Sequence, residues 1–263
     1  VRRAIYLAPF GELADPRAVA DVALAAEEAG FDGVFVWDHV WRPEHRVDAV
    51  GDAWITCAAI AAATHRVRLG PMVVPLSRRR PQRVARESVA LDRWSGGRLT
   101  LGIGLGVDTD GELARFGEET DERVRGDRLD EALEVLLRLW SGEPVRHRGR
   151  HFRADDVRFL PTPSQSPRPP VWGAARGGAP PRPLRRAARL DGLFPVGATP
   201  DQLIAMLDVV RDARGSLDGF DVAVPLRDED PAALEAAGAT WLLTALAETA
   251  TVDDALRAVR DAP

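Results

Sequence analysis

Lysine does not occur in this 263-residue chain, so chemistry that needs an ε-amino Schiff base is excluded. Cysteine occurs once, as Cys57. One thiol builds no disulfide framework, and its place in the apolar run 54–63 reads as a small buried hydrophobe. The five histidines are scattered without metal-ligand spacing, so no metal is expected. No apolar run reaches membrane-spanning length and no secretory leader is seen, so the expectation is a cytoplasmic protein without membrane association. The formal net charge of −5 argues against a general nucleic-acid binder. Walker spacing and G-x-G-x-x-G are both missing, and no Ser/His/Asp set or carboxylate pair stands out.

What is present is alternation of strand and helix from end to end. Hydrophobic residues make up 45% of the chain and charged residues 29%, enough for a large core. Short apolar runs at 4–8, 33–37, 67–74, 99–103, 170–174, 192–196, 220–225 and 240–245 read as strands buried on both faces. Helices are expected at 15–30, 52–63, 81–94, 126–140, 182–189, 200–214, 231–237 and 251–261, with Asp15-Pro16 and Thr199 as starting signals. Alternation of this kind suits a barrel or a doubly wound sheet, and the count of eight favours the barrel. The length also suits one α/β domain over residues 1–263, a (β/α)8 TIM barrel, for which about 250 residues is usual. A polar segment at 145–160 reads as a short hairpin excursion, and the proline-rich connector 161–170 is the one place where a domain boundary could fall instead. The polar stretch 107–124 reads as a functional or mobile loop, a trimmed lid over the active site.

In such barrels the site forms at the carboxyl ends of the strands. Those ends carry Pro9-Phe10, Asp38-His39 with Trp41, Met72-Val73, Gly104 to Val107, residues 173–178, and Val196-Gly197. His39 reads either as a proton-exchanging group or as a structural histidine bonded to Asp38. Trp41 either stacks on a flat ring or simply packs. The turn Gly173-Ala174-Ala175-Arg176-Gly177-Gly178 either offers backbone N–H groups to a phosphate or is only a tight turn. Arg78-Arg79-Arg80 reads as a solvated loop or a phosphate site, and Asp108, Asp110 and Glu112 as a solvated acidic loop. The mouth would be lined mainly by Pro9, Phe10, Trp41, Met72, Val73 and Val107, poor in acids and bases. A site of that kind suits a cofactor that carries the hard chemistry, and a hydride-carrying ring more than hydrolysis.

The stretches AEEAGFDGVFVWDH at 26–39, residues 52–106, RLDEALEVLLRLWSG at 128–142 and residues 159–178, together with Leu91-Asp92 followed by Ser95-Gly96-Gly97-Arg98, resemble the bacterial luciferase-like superfamily over nearly the whole chain. The resemblance implies an oxidoreductase with a flavin-type ring at the mouth of a (β/α)8 barrel, acting by hydride transfer or oxygen-dependent monooxygenation. Its cofactor would be F420 as first choice, or FMN. By the same resemblance, His39 would be catalytic. The cofactor would lie against Asp38, a cis Met72–Val73 bond, Gly104, Gly106 and Val107, with its phosphate on Ala174, Ala175, Arg176, Gly177, Gly178, Val196 and Gly197. Pro9, Phe10 and Trp41 would line the substrate pocket. A homodimer packed through the second and third helices is also implied; Trp54 and Trp94 on those helices read either as interface anchors or as core packing. Two departures stand out against the sugar-phosphate dehydrogenase branch: Pro43 replaces a tryptophan four residues after the histidine, and Val107 replaces a glutamate after the glycines. The missing glutamate motivates an alternative, a non-catalytic luciferase-like barrel serving as partner subunit or cofactor-binding paralogue.

Overall fold

Asp15, Asp52, Asp121, Thr199 and Asp230 each stand one residue before a helix, and their side-chain oxygens accept first-turn N–H groups. Those N–H groups lack intrahelical partners, so the caps fix where the helices begin. The computed structural model describes residues 1–227 and 229–261. The chain runs through β1 (Arg2–Leu7), α1 (Pro16–Glu28), β2 (Gly33–Val36), α2 (Ala53–Ala63), β3 (Arg68–Pro71) and β4 (Val74–Pro75). It continues through α3 (Pro81–Trp94), β5 (Leu101–Gly104), α4 (Glu122–Trp140) and the antiparallel hairpin β6 (Val145–Arg148) and β7 (Arg153–Val157). Then follow β8 (Val171–Arg176), α5 (Pro181–Ala187), β9 (Gly192–Val196), α6 (Pro200–Arg214), β10 (Asp221–Leu226), α7 (Pro231–Ala236), β11 (Trp241–Ala245) and α8 (Val252–Asp261).

The main sheet is parallel, in the order β3-β2-β1-β11-β10-β9-β8-β5-β4. Its two end members are halves of one strand. β3 pairs with β2, β4 pairs with β5, and a Leu69–Leu99 bridge joins the lower half to the same neighbour. The sheet is therefore closed, an eight-position (β/α)8 barrel. The sequence reading of one continuous strand at 67–74 is corrected: the strand breaks at Met72–Val73, whose peptide bond is cis. The helix expected from residue 126 starts at Glu122, because Asp121 caps it and accepts the Arg123 and Val124 N–H groups. Gly126 lies inside that helix, where Arg182 rests on it. Among the described residues no helix is long and apolar enough to cross a membrane.

Inward-facing side chains alternate between small and large. Ala4, Phe35, Met72, Trp172, Phe194, Ala223, Trp241 and Leu243 fill the barrel, a packed core rather than a pore. At its floor the Asp221 carboxylate accepts the indole N–H groups of Trp172 and Trp241, both at 3.2 Å. The Leu-Asp and Ser-Gly-Gly-Arg pieces of the sequence pattern prove structural. Buried Asp92 accepts the Ser164 N–H at 2.6 Å and both the backbone N–H and side-chain amide of Gln165. Arg98 spreads its guanidinium over the carbonyls of Ala61, Thr64, Val67 and Ser95. These two residues tie α2, α3 and the proline-rich connector under the barrel.

Three glycines permit the close approach of β5 to the broken strand. A Cβ on Gly70 would fall on the Thr100 carbonyl oxygen, and one on Gly102 would lie 2.9 Å from the Pro71 carbonyl oxygen and on the Met72 sulfur. One on Gly104 would lie 2.8 Å from a Val73 methyl. Gly70→Ala forces backbone to move and should destabilise the fold by about 2–3 kcal/mol; urea denaturation would read it as a lower midpoint at unchanged slope. A midpoint equal to that of the unmodified chain would show that the two strands have room to separate.

Candidate active site at the barrel mouth

Strand alternation decides what faces the mouth. On and after β2, Phe35 packs in the barrel core, and Trp37 and His39 join an aromatic cluster above it. Ring centroids are 5.8 Å apart for Tyr6–Trp37, 6.0 Å for Phe10–Trp37, and 5.9 Å for both Phe10–His39 and Trp37–His39. Tyr6 donates its hydroxyl to the Met72 carbonyl at 2.9 Å, and burial pushes that hydroxyl's pKa well above the usual tyrosine range. Asp38, one residue out of phase, points the other way. Its carboxylate lies 3.1 Å from Arg79, and burial raises its pKa against the pull of Arg79 and Arg78. The structure thus does not bring the Asp38 side chain to the other candidate residues. Ala175 is likewise out of phase, packed outward in the cluster with Leu184 and Leu203, while Ala174 packs inward.

His39 has a partner that the sequence did not reveal. Its Nδ1 lies 2.7 Å from Glu112 Oε2, while Glu112 Oε1 accepts the Val40 N–H at 2.7 Å and lies 3.1 Å from Arg78. Burial alone would raise the Glu112 pKa, but the His39 hydrogen bond and charge, Arg78 and the Val40 N–H together hold it at about 2. The carboxylate is therefore ionised at neutral pH and can only accept. That places the proton of this bond on His39 Nδ1 and leaves Nε2 as the nitrogen able to give or take one. No local pattern announced the pair, because its members are 73 residues apart.

The acidic loop is accordingly not a solvated one, which corrects the sequence reading. Glu112 is 4% exposed and Leu113 1%. Asp110 accepts from Arg42 at 2.6 Å and pairs with Arg46 at 3.0 Å, and both arginines also reach Glu248. Asp108 Oδ1 accepts the N–H groups of Leu113 and Ala114. Trp41 lies beneath the Arg115 guanidinium, 5.0 Å from ring centroid to carbon, beside this loop and apart from the aromatic cluster. The Arg78-Arg79-Arg80 run is also mostly internal: Arg78 serves Glu112, and Arg79 serves Asp38 and Glu87 across the Trp54 ring.

Opposite, the ends of β8 and β9 form a glycine cradle. The Gly177 N–H bonds the Val196 carbonyl, and a Cβ on Gly177 would lie 2.6 Å from Gln202 and 2.7 Å from the Gly197 carbonyl oxygen. Gly178 and Gly197 hold φ of +73° and +61°, with open space beside Gly197. Among the described residues nothing accepts the N–H of either. Pro180, Pro181 and Pro183 remove three N–H groups from the start of α5, so the turn, not the helix end, supplies the donors. Arg176 stands exposed at the rim and Val196 is 39% exposed beside it. Between cradle and aromatics lie Val73 and the backbone of Gly104, Gly106 and Val107, with Gly106 at φ +77° close under Pro75. An apolar wall and unpaired N–H donors fit a ring with a phosphate arm.

The sequence profile of the family described as luciferase-like monooxygenase matches residues 5–260. An F420-dependent glucose-6-phosphate dehydrogenase of Nakamurella multipartita is 32% identical over 219 residues, 81% of this chain and 63% of that one. Other curated relatives are matched over as little as 42% to 49% of their length, so the chain spans less than two thirds of the curated relatives it matches. A solved F420-dependent secondary alcohol dehydrogenase in complex with an F420-acetone adduct superposes with a TM-score of 0.74 at 25% identity, covering 86% of this chain and 68% of that one. A monooxygenase from Streptomyces bottropensis shares the fold at a TM-score of 0.80 and 22% identity, covering 99% of this chain and 97% of its own.

The Glu112 carboxylate makes a pH-dependent contribution to stability. Its native pKa lies below the value of about 4.3 expected in the unfolded chain. The stabilisation is therefore complete above about pH 5 and is lost as pH falls toward 2. Glu112→Gln should lower the unfolding free energy by about 1–3 kcal/mol at pH 7. In urea titrations the gap to the unmodified protein should hold from pH 7 to 5 and narrow below; a gap independent of pH would mean that the carboxylate's charge is not what holds the loop.

Proposed function

Because the chain belongs to the luciferase-like monooxygenase family, we propose that it is an oxidoreductase that binds F420, or alternatively FMN, at the barrel mouth and acts on a small organic substrate. One observation carries the reading: the cradle of Gly177, Gly178 and Gly197, with its two unaccepted N–H groups, stands across an apolar wall from His39. The relatives' F420-dependent activities support the same choice of cofactor. Bound there, the cofactor supplies hydride transfer or oxygen-dependent monooxygenation. The chain's own residues do the remainder. Gly178 and Gly197 donate to the phosphate, and Val73 with Gly104 to Val107 flanks the ring. Phe10, Trp37 and Tyr6 keep water from the reacting face. His39 Nε2 gives or takes the substrate proton while Glu112, ionised, holds the ring's orientation and offsets the charge that develops on it.

The non-catalytic alternative was motivated by Val107, which stands where a glutamate was expected. Glu112 supplies a carboxylate to His39 from further along the same loop, so that motive is gone. The reading also includes a homodimer through α2 and α3, supported by Ile55 at 60% and Trp94 at 67% exposure on those helices; Trp54, at 8%, is packed inside. Light scattering should give twice the chain mass. A reducing cytoplasm suits the lone thiol, Cys57, which is buried in α2.

Titration of the purified protein with F420 and with FMN, followed by absorbance and fluorescence, tests the central reading. Micromolar binding of F420, tighter than that of FMN, is expected, and absence of micromolar binding by both defeats the proposal. In the same experiment His39→Asn should keep cofactor affinity while lowering turnover of any substrate found by about a hundredfold or more.

A further inference from the structure

The segment that follows the glycine cradle carries four arginines within eight positions: Arg182, Arg185 and Arg186 on α5, and Arg189 just past its end. With Asp130 they line a cleft of about 340 Å³ on the outside of the barrel. Two of them face α4. Arg182 pairs with Asp127 and Asp130, both at 2.7 Å, and Arg186 pairs with Asp130 at 2.5 Å, which holds the Asp130 carboxyl below its usual pKa despite its partial burial. Arg185 and Arg189 are exposed, and no acceptor meets either among the described residues. Four guanidinium groups thus meet two carboxylates, a positive cleft on a chain whose net charge is −5. Arg185 and Arg189 line the same cleft, where like charges repel, so the arrangement is more favourable with an anion between them.

Position supplies the second argument. The cleft arginines begin four residues after Gly178, and a helix advances about 1.5 Å per residue. Arg185 lies about 5 Å beyond Arg182 along the helix, and Arg189 comes just past the helix end at Ala187. An anionic chain leaving a phosphate held at Gly178 and Gly197 would therefore meet Arg182 first and the two unpaired arginines after it.

We infer that this cleft is a subsite for an oligocarboxylate chain: the acidic tail that the deazaflavin cofactor carries beyond its phosphate. It rests on the cofactor reading above and deepens it, because FMN ends at its phosphate and leaves the cleft unused. Arg185 and Arg189 bind the tail carboxylates, while Arg182 and Arg186 are held in place by Asp127 and Asp130. The cleft thereby selects F420 over FMN without touching the reacting ring.

Three probes test it against the unmodified protein and the Arg185→Gln/Arg189→Gln double variant: F420 with a tail of several glutamates, F420 trimmed to its phospholactyl form, and FMN. Affinities are read by fluorescence, with circular dichroism confirming that the variant is folded. The unmodified protein should bind the tailed form about tenfold more tightly than the trimmed one, as two exposed ion pairs allow. The variant should lose that advantage and keep its affinity for the trimmed form and for FMN, and high salt should erase the advantage in the unmodified protein. Equal affinity of the unmodified protein for tailed and trimmed F420 would overturn the subsite and leave the cofactor reading standing. Failure of all three probes would overturn the cofactor reading. A γ-linked oligoglutamate peptide then reads the cleft alone: binding to the unmodified protein and not to the variant supports the subsite, and no binding removes it.

Discussion

The barrel closes through contact between backbones. The strand Arg68–Pro75 breaks in its middle, gives its lower half to β2 and its upper half to β5, and so joins the two ends of the sheet. That joint leaves no room for side chains at Gly70, Gly102 or Gly104. Everything at the mouth is placed from it. The Met72 carbonyl receives the Tyr6 hydroxyl, Val73 presents its side chain toward Gly104, and the end of β5 carries Gly106 under Pro75. The glycine spacing of residues 102–106 is thus first a packing requirement of closure, and the apolar wall of the site is its consequence.

A second constraint comes from carboxylates that are buried, or in the case of Asp221 part-buried. Asp92 holds the connector, Asp221 the barrel floor, Glu27 the N–H groups of His65, Arg66 and Val67, and Glu112 the loop over the mouth. Each accepts from several donors at once, which is what makes burying a charge tolerable. Glu112 differs from the other three in that one of its partners, His39, keeps a nitrogen free. The same interaction therefore fixes a loop of the fold and sets the orientation of the His39 imidazole. Arginine does all the cationic work in these knots, as it must in a chain without lysine, and its planar fork suits the repeated carboxylate and carbonyl contacts.

Most elements of the fold were legible because their signals are local. Asp15-Pro16, Asp52 and Thr199-Pro200 start helices within a residue of expectation, and Gly30, at φ +85°, follows the end of one. The break at Met72–Val73 gave no sign in composition, since Pro71 to Pro75 reads as one apolar run; only the family resemblance pointed to it. α4 starts four residues before the expected Gly126, because Asp121 caps it, and Gly126 is the place where Arg182 crosses the helix. In the site, strand ends were identified correctly but side-chain phase was not, so Asp38 and Ala175 were grouped with neighbours that face the other way. The Glu112 pair was illegible for a different reason. Its three partners, His39, Val40 and Arg78, come from two distant segments, and an acidic loop reads as solvated until Arg42, Arg46 and Arg78 are known to face it.

The distribution of charge then separates two tasks. At the mouth, Asp110 and Glu248 are matched by Arg42 and Arg46, and Glu112 by Arg78 and His39, so the rim near the aromatic cluster is internally paired. Excess positive charge is found instead at Arg176 on the far rim and along α5. In the proposed reading a ligand steered by charge is drawn to the cradle side of the barrel, while its ring meets an apolar wall, aromatic rings and the Glu112-bonded imidazole of His39. Binding energy gathered at the anionic end of a cofactor can position its ring, and the charges nearest His39 are the Glu112 carboxylate that orients it and the Arg78 paired with that carboxylate. That separation is open to this fold because strands of one closed barrel end at both places, held rigidly apart by the same core.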